Sequence, residues 1–223
     1  MNELGCFKFN PEVFSFNEAK SNSRYIKPPK QKDIAYKKLK YANAKKLAKD
    51  IDFKELDKVF CIIDGSFIFG DFIEAFIVEN NINCIEVQIS TLSYSQDNID
   101  SLENLIKSNY IQKLDLIISD YFFSHERNKL IKNTYEQLDK NNIFQLASAG
   151  THFKMCLIKT EQGKHIVIHG SANLRSSSNI EHFCIEDSKD LYNFVKENHD
   201  LILEKYKTIN KSIRGKEMTN LIF

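Results

Sequence analysis

Short apolar runs alternate along this chain with longer stretches whose hydrophobic residues recur at helical spacing. Runs at 59–64, 85–89, 114–119 and 144–147 have the length of buried strands. Between them, periodicity predicts helices around 72–80, 101–108 and 125–141. Apolar strands separated by amphipathic helices are the mark of a layered α/β structure. The expected fold is a mixed β-sheet flanked by helices on both faces.

After residue 147 the rhythm changes. Three consecutive strands are predicted at 152–159, 165–170 and 179–185, with a last helix over 188–206. The first two strands are joined by Thr160-Glu161-Gln162-Gly163-Lys164, a glycine-containing loop of ordinary hairpin length. The segment therefore reads as a three-strand meander. Asp64-Gly65-Ser66 predicts a turn that borders the site, because it lacks the glycine spacing and following Lys of a P-loop.

Charge alters the picture at the N-terminus. The chain has a formal net charge of only +1, yet residues 20–50 hold eleven Lys or Arg against two Asp. Pro28 and Pro29 predict extended chain over 21–30, and composition predicts a helix over 31–50. Three units follow: a basic N-terminal extension with a helix (1–55), the α/β domain (56–210) and a C-terminal tail (211–223). One reading makes Lys37, Lys38, Lys45 and Lys46 a nucleic-acid-binding arm, with Tyr25, Tyr36 and Tyr41 available for stacking. The other is a solvated helix that packs Ile34, Leu39 and Leu47 on the domain.

Five cysteines without Cys-x-x-Cys spacing argue against a disulfide framework and a zinc site. No cluster of carboxylates near the polar strand ends suggests a metal, and no cofactor is expected. The first ten residues lack a signal core and no apolar run has membrane-spanning length. A cytoplasmic location is expected.

Chemistry concentrates in the meander. His152 and Lys154 share a face if they lie on a strand, as do Ser171 and Asn173. Lys154 supplies a cation, Ser171 and Asn173 supply hydrogen-bond donors, and Glu181 is an acceptor able to fix an imidazole tautomer. Such a set suits attack on a phosphodiester, with the His152 imidazole as nucleophile. His169, by alternation on the face of Ser171, is a possible competing base.

His152-Phe153-Lys154, Gly170-Ser171-Ala172-Asn173 and Glu181 resemble the signature of the phospholipase D superfamily. Two positions depart from it: Lys159 stands where the family has an Asp, and the hairpin before Gly170 is longer. The resemblance implies a phospholipase D-like mixed sheet and a metal-independent phosphodiesterase working through a covalent phosphohistidine. His152, Lys154, Ser171, Asn173 and Glu181 would be its catalytic residues. The family uses two His-x-Lys motifs, whereas His152 is the one histidine here followed two residues later by Lys. A homodimer with a shared active site on its two-fold axis is therefore expected. Short single-motif members are typically nucleases, which favours DNA or RNA. A phospholipid or other small phosphodiester substrate, and a non-catalytic nucleic-acid binder, are the alternatives.

Overall fold

The computed structural model describes residues 35–37, 44–65, 67–175 and 179–209. The strands are β1 (Ala35–Lys37), β2 (Lys58–Ile63), β3 (Cys84–Thr91), β4 (Leu114–Ser119), β5 (Phe144–Ala149), β6 (Met155–Thr160), β7 (His165–Gly170) and β8 (Glu181–Asp187). They form one mixed sheet in the order β1-β2-β8-β7-β6-β3-β4-β5. The helices are α1 (Ala44–Asp50), α2 (Phe69–Glu79), α3 (Gln96–Lys107), α4 (Asp120–Glu126), α5 (Lys132–Leu138) and α6 (Lys189–Tyr206). The expected α/β architecture is present, and β6, β7 and β8 form the antiparallel meander.

Alternation divides the sheet chemically. Val59, Cys61 and Ile63 of β2, Val87 and Ile89 of β3, and Phe183 and Ile185 of β8 enter the main core. Phe72 and Phe76 of α2, Leu105 of α3 and Leu138 of α5 also belong to this core. On the other face Leu157 and Val167 meet Tyr192 and Val195 of α6. That face also buries Glu86, Gln88, Ser90 and Asp115. There Lys113 bridges Glu86 at 2.6 Å and Asp115 at 2.9 Å. Buried carboxylates are tolerated because each has its cation.

Three sequence expectations need correction. Among the described residues, the helix expected over 31–50 is a strand at Ala35–Lys37 and a helix at Ala44–Asp50. Parallel pairing of Tyr36 with Phe60 on β2 overrides local helical preference. The helix expected over 125–141 starts at Asp120, because the Ser119 side chain caps it by accepting from the Phe122 N–H at 3.2 Å. A π-helical turn at Arg127–Ile131 then interrupts it. Finally, β6 begins at Met155, so His152 and Lys154 precede the strand.

That last difference has a topological cause. The chain leaves β5 at the sheet edge and must reach β6, three strand positions away, which is about 14 Å. Residues 150–154 make this crossing, over the carboxyl ends of β4 and β3. A local turn shapes it: the Thr151 N–H donates to the Ala149 carbonyl at 2.8 Å. The Phe153 N–H donates to Thr151 Oγ1 at 3.1 Å. Crevices outside strand carboxyl ends are the usual ligand sites of open α/β sheets.

Candidate active site

The end of the sheet that this crossing reaches gathers most of the predicted residues. Gly170 closes β7 and Glu181 opens β8. Met155 pairs with His169, and Ile63 pairs with Glu181. The same pairing brings Asp64-Gly65, a turn with Gly65 at φ +76°, beside Glu181.

Ser171 and Glu181 meet directly, the hydroxyl donating to Glu181 Oε2. Two backbone bonds hold the serine there. Its N–H donates to the His182 carbonyl at 3.0 Å, and its Oγ accepts from the His182 N–H at 3.1 Å. Gly170 allows this close approach, since a Cβ there would press on the His182 carbonyl. Lys154 is tied to the same corner through its carbonyl, which accepts from the Gly170 N–H at 3.3 Å.

Asn173 is not on a strand, because β7 ends at Gly170. Its orientation comes from the residue after β3 instead: Oδ1 accepts from the Leu92 N–H at 3.2 Å. The amide nitrogen is thereby left as the end that can donate to a ligand.

The next residue is held on three sides. The Leu174 N–H donates to Thr91 Oγ1 at 3.2 Å. Its carbonyl accepts from the Gly70 N–H at 3.1 Å and from Asn98 Nδ2 at 3.1 Å. Asn98 is only 1% exposed, and its Oδ1 also caps α3 by accepting from the Ser95 N–H at 2.9 Å. These positioning groups escaped the sequence reading. They come from α2, β3 and α3, and nothing in their local sequence marks them.

His152 is the exception. It lies exposed in the crossing loop, and its imidazole has no hydrogen bond to Lys154, Ser171, Asn173 or Glu181 among the described residues. Glu181, expected to orient that ring, is engaged by Ser171. His169 turns to Glu186, 3.3 Å from Nε2. Burial raises the Glu186 pKa, but the bonds from His169 and Lys58 outweigh it and hold the carboxyl below its ordinary value. The remaining imidazoles are elsewhere: His182 stacks on Phe60, His165 meets Tyr192 edge-on and His125 lies tilted against Tyr121. His199 is fully buried beneath Phe153.

The two departures from the family pattern lie away from this corner. Lys159 is exposed on β6 and pairs with His165. The added hairpin length also falls at that remote end, where Gly163 turns the chain at φ +86°.

The proposed basic residues do not form one helical arm. Lys37 is in β1, Lys38 lies outside the described residues, and Lys45 and Lys46 are exposed on α1. Lys45 bridges Glu79 at 2.8 Å. Glu79 ends α2, about 14 Å along the helix from Gly70 at the site. Leu47 is completely buried, as the packing reading expected. Tyr25 and the 211–223 tail lie outside the described residues. Among the described residues, no helix is long and apolar enough to cross a membrane.

Motif and topology together define a phospholipase D-like fold, with His-x-Lys entering β6, Gly-Ser-x-Asn leaving β7 and Glu181 opening β8. No family model matches the chain, and no curated protein does. Solved structures similar to it include NucT from Helicobacter pylori, at 17% identity and TM-score 0.45, over 67% of this chain and 98% of that one. Nuc from Salmonella typhimurium, a phospholipase D family member, is similar at 13% identity and TM-score 0.42, over 55% and 80%. A polyphosphate kinase from Porphyromonas gingivalis is similar at 12% identity and TM-score 0.49, over 66% of this chain but only 26% of that protein.

Proposed function

We propose that this chain is a phosphodiesterase that cleaves nucleic acid through a covalent phosphohistidine, as a two-fold symmetric homodimer and without a divalent metal. The observation that carries the reading is the convergence of Ser171, Asn173 and Glu181 at the end of the sheet that is entered by the loop bearing His152 and Lys154. An imidazole nitrogen of His152 attacks phosphorus and the bond to the leaving oxygen breaks. That oxygen takes a proton from a second imidazole. Water then cleaves the phosphorus–nitrogen bond, returning the ring. Lys154 and the Asn173 amide offset the growing negative charge. Ser171 is different from expectation here, because its hydroxyl donates to Glu181.

The second imidazole is the reason for the dimer. None of the other five histidines presents its ring to this corner, so the acid comes from His152 of a second copy. The route requires no metal, since the imidazole nitrogen is itself the nucleophile.

The test is incubation with labelled single- and double-stranded DNA, RNA and a phospholipid, in excess EDTA. Wild type and His152→Ala are compared, with acid-labile phosphoprotein trapped in parallel. Nucleic-acid cleavage that is chelator-resistant, lost in His152→Ala and weakened by dilution below dimerisation supports the reading. Loss of all activity on chelation overturns the mechanism. Cleavage of phospholipid alone overturns the substrate class. Nucleic-acid binding without turnover identifies a non-catalytic binder.

A further inference from the structure

At the start of the crossing loop lies an open cleft of about 560 Å³, between α4, the end of β5 and the chain leaving α6. Ser148 lines it. His152 is four positions after Ser148, so the two are no more than about 14 Å apart. We propose, resting on the nucleic-acid reading above, that this cleft is a subsite for a nucleotide flanking the scissile phosphodiester. Tyr206 stacks on the base, and Arg127, Lys205 and Lys207 hold its phosphate.

Three features support this assignment. The first is local charge: three cations line the cleft against the single carboxylate of Asp120, although the whole chain is almost neutral. Asp120 faces β5, where its Oδ1 accepts the Ser148 hydroxyl at 2.6 Å. The second is an aromatic surface beside the cations. Tyr206 is 45% exposed, with Lys205 Nζ 5.1 Å from its ring centroid. A basic groove with an exposed ring is how proteins hold single strands without reading their sequence.

The third is anchorage. Lys207 bridges to Ala147 of β5. The Thr208 N–H donates to the Leu146 carbonyl at 2.9 Å, and the hydroxyls of Thr208 and Tyr135 lie 2.8 Å apart. The segment that presents Tyr206 is therefore fastened to the strand that feeds the His152 loop. Across the cleft, Arg127 opens the π-helical turn, a helix irregularity that recurs at functional sites.

The test uses the full chain and fluorescence anisotropy with a labelled oligothymidylate of about twelve nucleotides, a length that spans a typical single-strand site. Tyr206→Ala should weaken binding about tenfold, the loss of one stacked base, while Tyr206→Phe retains it. Arg127→Ala should lower the salt dependence of binding by about 0.7 in logarithmic slope, one phosphate contact on a single strand. Turnover of bis(p-nitrophenyl) phosphate, too small to reach the cleft, should be unchanged in all three. Oligonucleotide affinity and slope unaltered in every variant would overturn the subsite. So would equal losses toward the small diester, which point to a structural role. A wild type that binds with this dependence but turns nothing over sinks the catalytic reading and leaves the subsite standing.

Discussion

Replacing Gly170 by Ala tests how closely β7 and β8 approach at the site. A Cβ on Gly170 would press on the His182 carbonyl oxygen, 2.6 Å from Phe183 Cα and 2.9 Å from His182 C. All three are backbone atoms, so no rotamer relieves the contact and β8 must withdraw toward ordinary van der Waals separation. Overpacking of this kind costs about 1–3 kcal/mol. The withdrawal also strains the two hydrogen bonds between Ser171 and His182, 3.0 and 3.1 Å long, each contributing about 1 kcal/mol. The total is roughly 3–5 kcal/mol on these two scales. Urea unfolding followed by far-ultraviolet circular dichroism measures it. Gly163→Ala is the control: its Cβ meets nothing within 4 Å, and only its φ of +86° opposes the change, at about 1–2 kcal/mol. Turnover separates the two further. Gly170→Ala should lose activity even where it is folded, because Ser171 and Glu181 move apart, whereas Gly163→Ala sits at the remote hairpin and should keep it. A Gly170→Ala protein as stable and active as Gly163→Ala would refute the close approach.

Lys154→Ala should lower kcat about a hundredfold or more, the usual effect of removing one charge-stabilising group, with an unchanged unfolding midpoint. Glu181→Gln keeps an acceptor for the Ser171 hydroxyl but not the charge, so kcat should fall by about tenfold or less; a loss equal to that of His152→Ala would assign Glu181 a direct chemical role. Thr91→Val removes the acceptor for the buried Leu174 N–H and should destabilise the fold by about 1–3 kcal/mol, raising KM more than a surface change does. His199 supplies a pH test. Burial is the main cause holding its pKa down at about 4, with Asp200 raising and Lys196 lowering it. The folded value lies below the unfolded one near 6.5, so the neutral ring is favoured by folding. Its stability contribution is present above that unfolded value and is lost as pH falls toward 4, a change of roughly 3 kcal/mol. Urea midpoints from neutral to acid pH should therefore fall more steeply for wild type than for His199→Leu; equal slopes would contradict the burial.

Strand rhythm made the sheet legible because buried strands need apolar runs and each run is local. The meander was legible for the same reason, with Gly163 marking its turn. The strand at Ala35–Lys37 was not, since a lysine- and alanine-rich segment prefers a helix until β2 offers it a partner. At the site, Ser171 and Glu181 could be paired by motif, and they touch. The groups that hold Asn173 and Leu174 could not. Leu92 and Thr91 are 81 and 83 positions away in sequence, and Asn98 is 76 away. Long-range hydrogen bonds of this kind leave no periodic trace.

The site is uneven in how firmly its parts are held, and that unevenness bears on how it works. Ser171, Asn173 and Leu174 are fixed by hydrogen bonds to β8, β3, α2 and α3. His152 has no such bond to its predicted neighbours and rides on a loop that crosses three strand positions. A side chain carried this way is positioned by what the crossing loop packs against. Beneath it, Phe153 lies 6.3 Å from the His199 ring, measured between centroids. Above it, Phe153 is still 43% exposed, and Ile180, next to Glu181, is 77% exposed. Burying such apolar side chains is favourable at about 25 cal/mol per Å². A second copy seated on this corner would cover them and order the loop in the same step. In the proposed dimer, association would do more than supply an acid: it would set the imidazole of each copy against phosphorus, so activity and subunit association should be lost together on dilution.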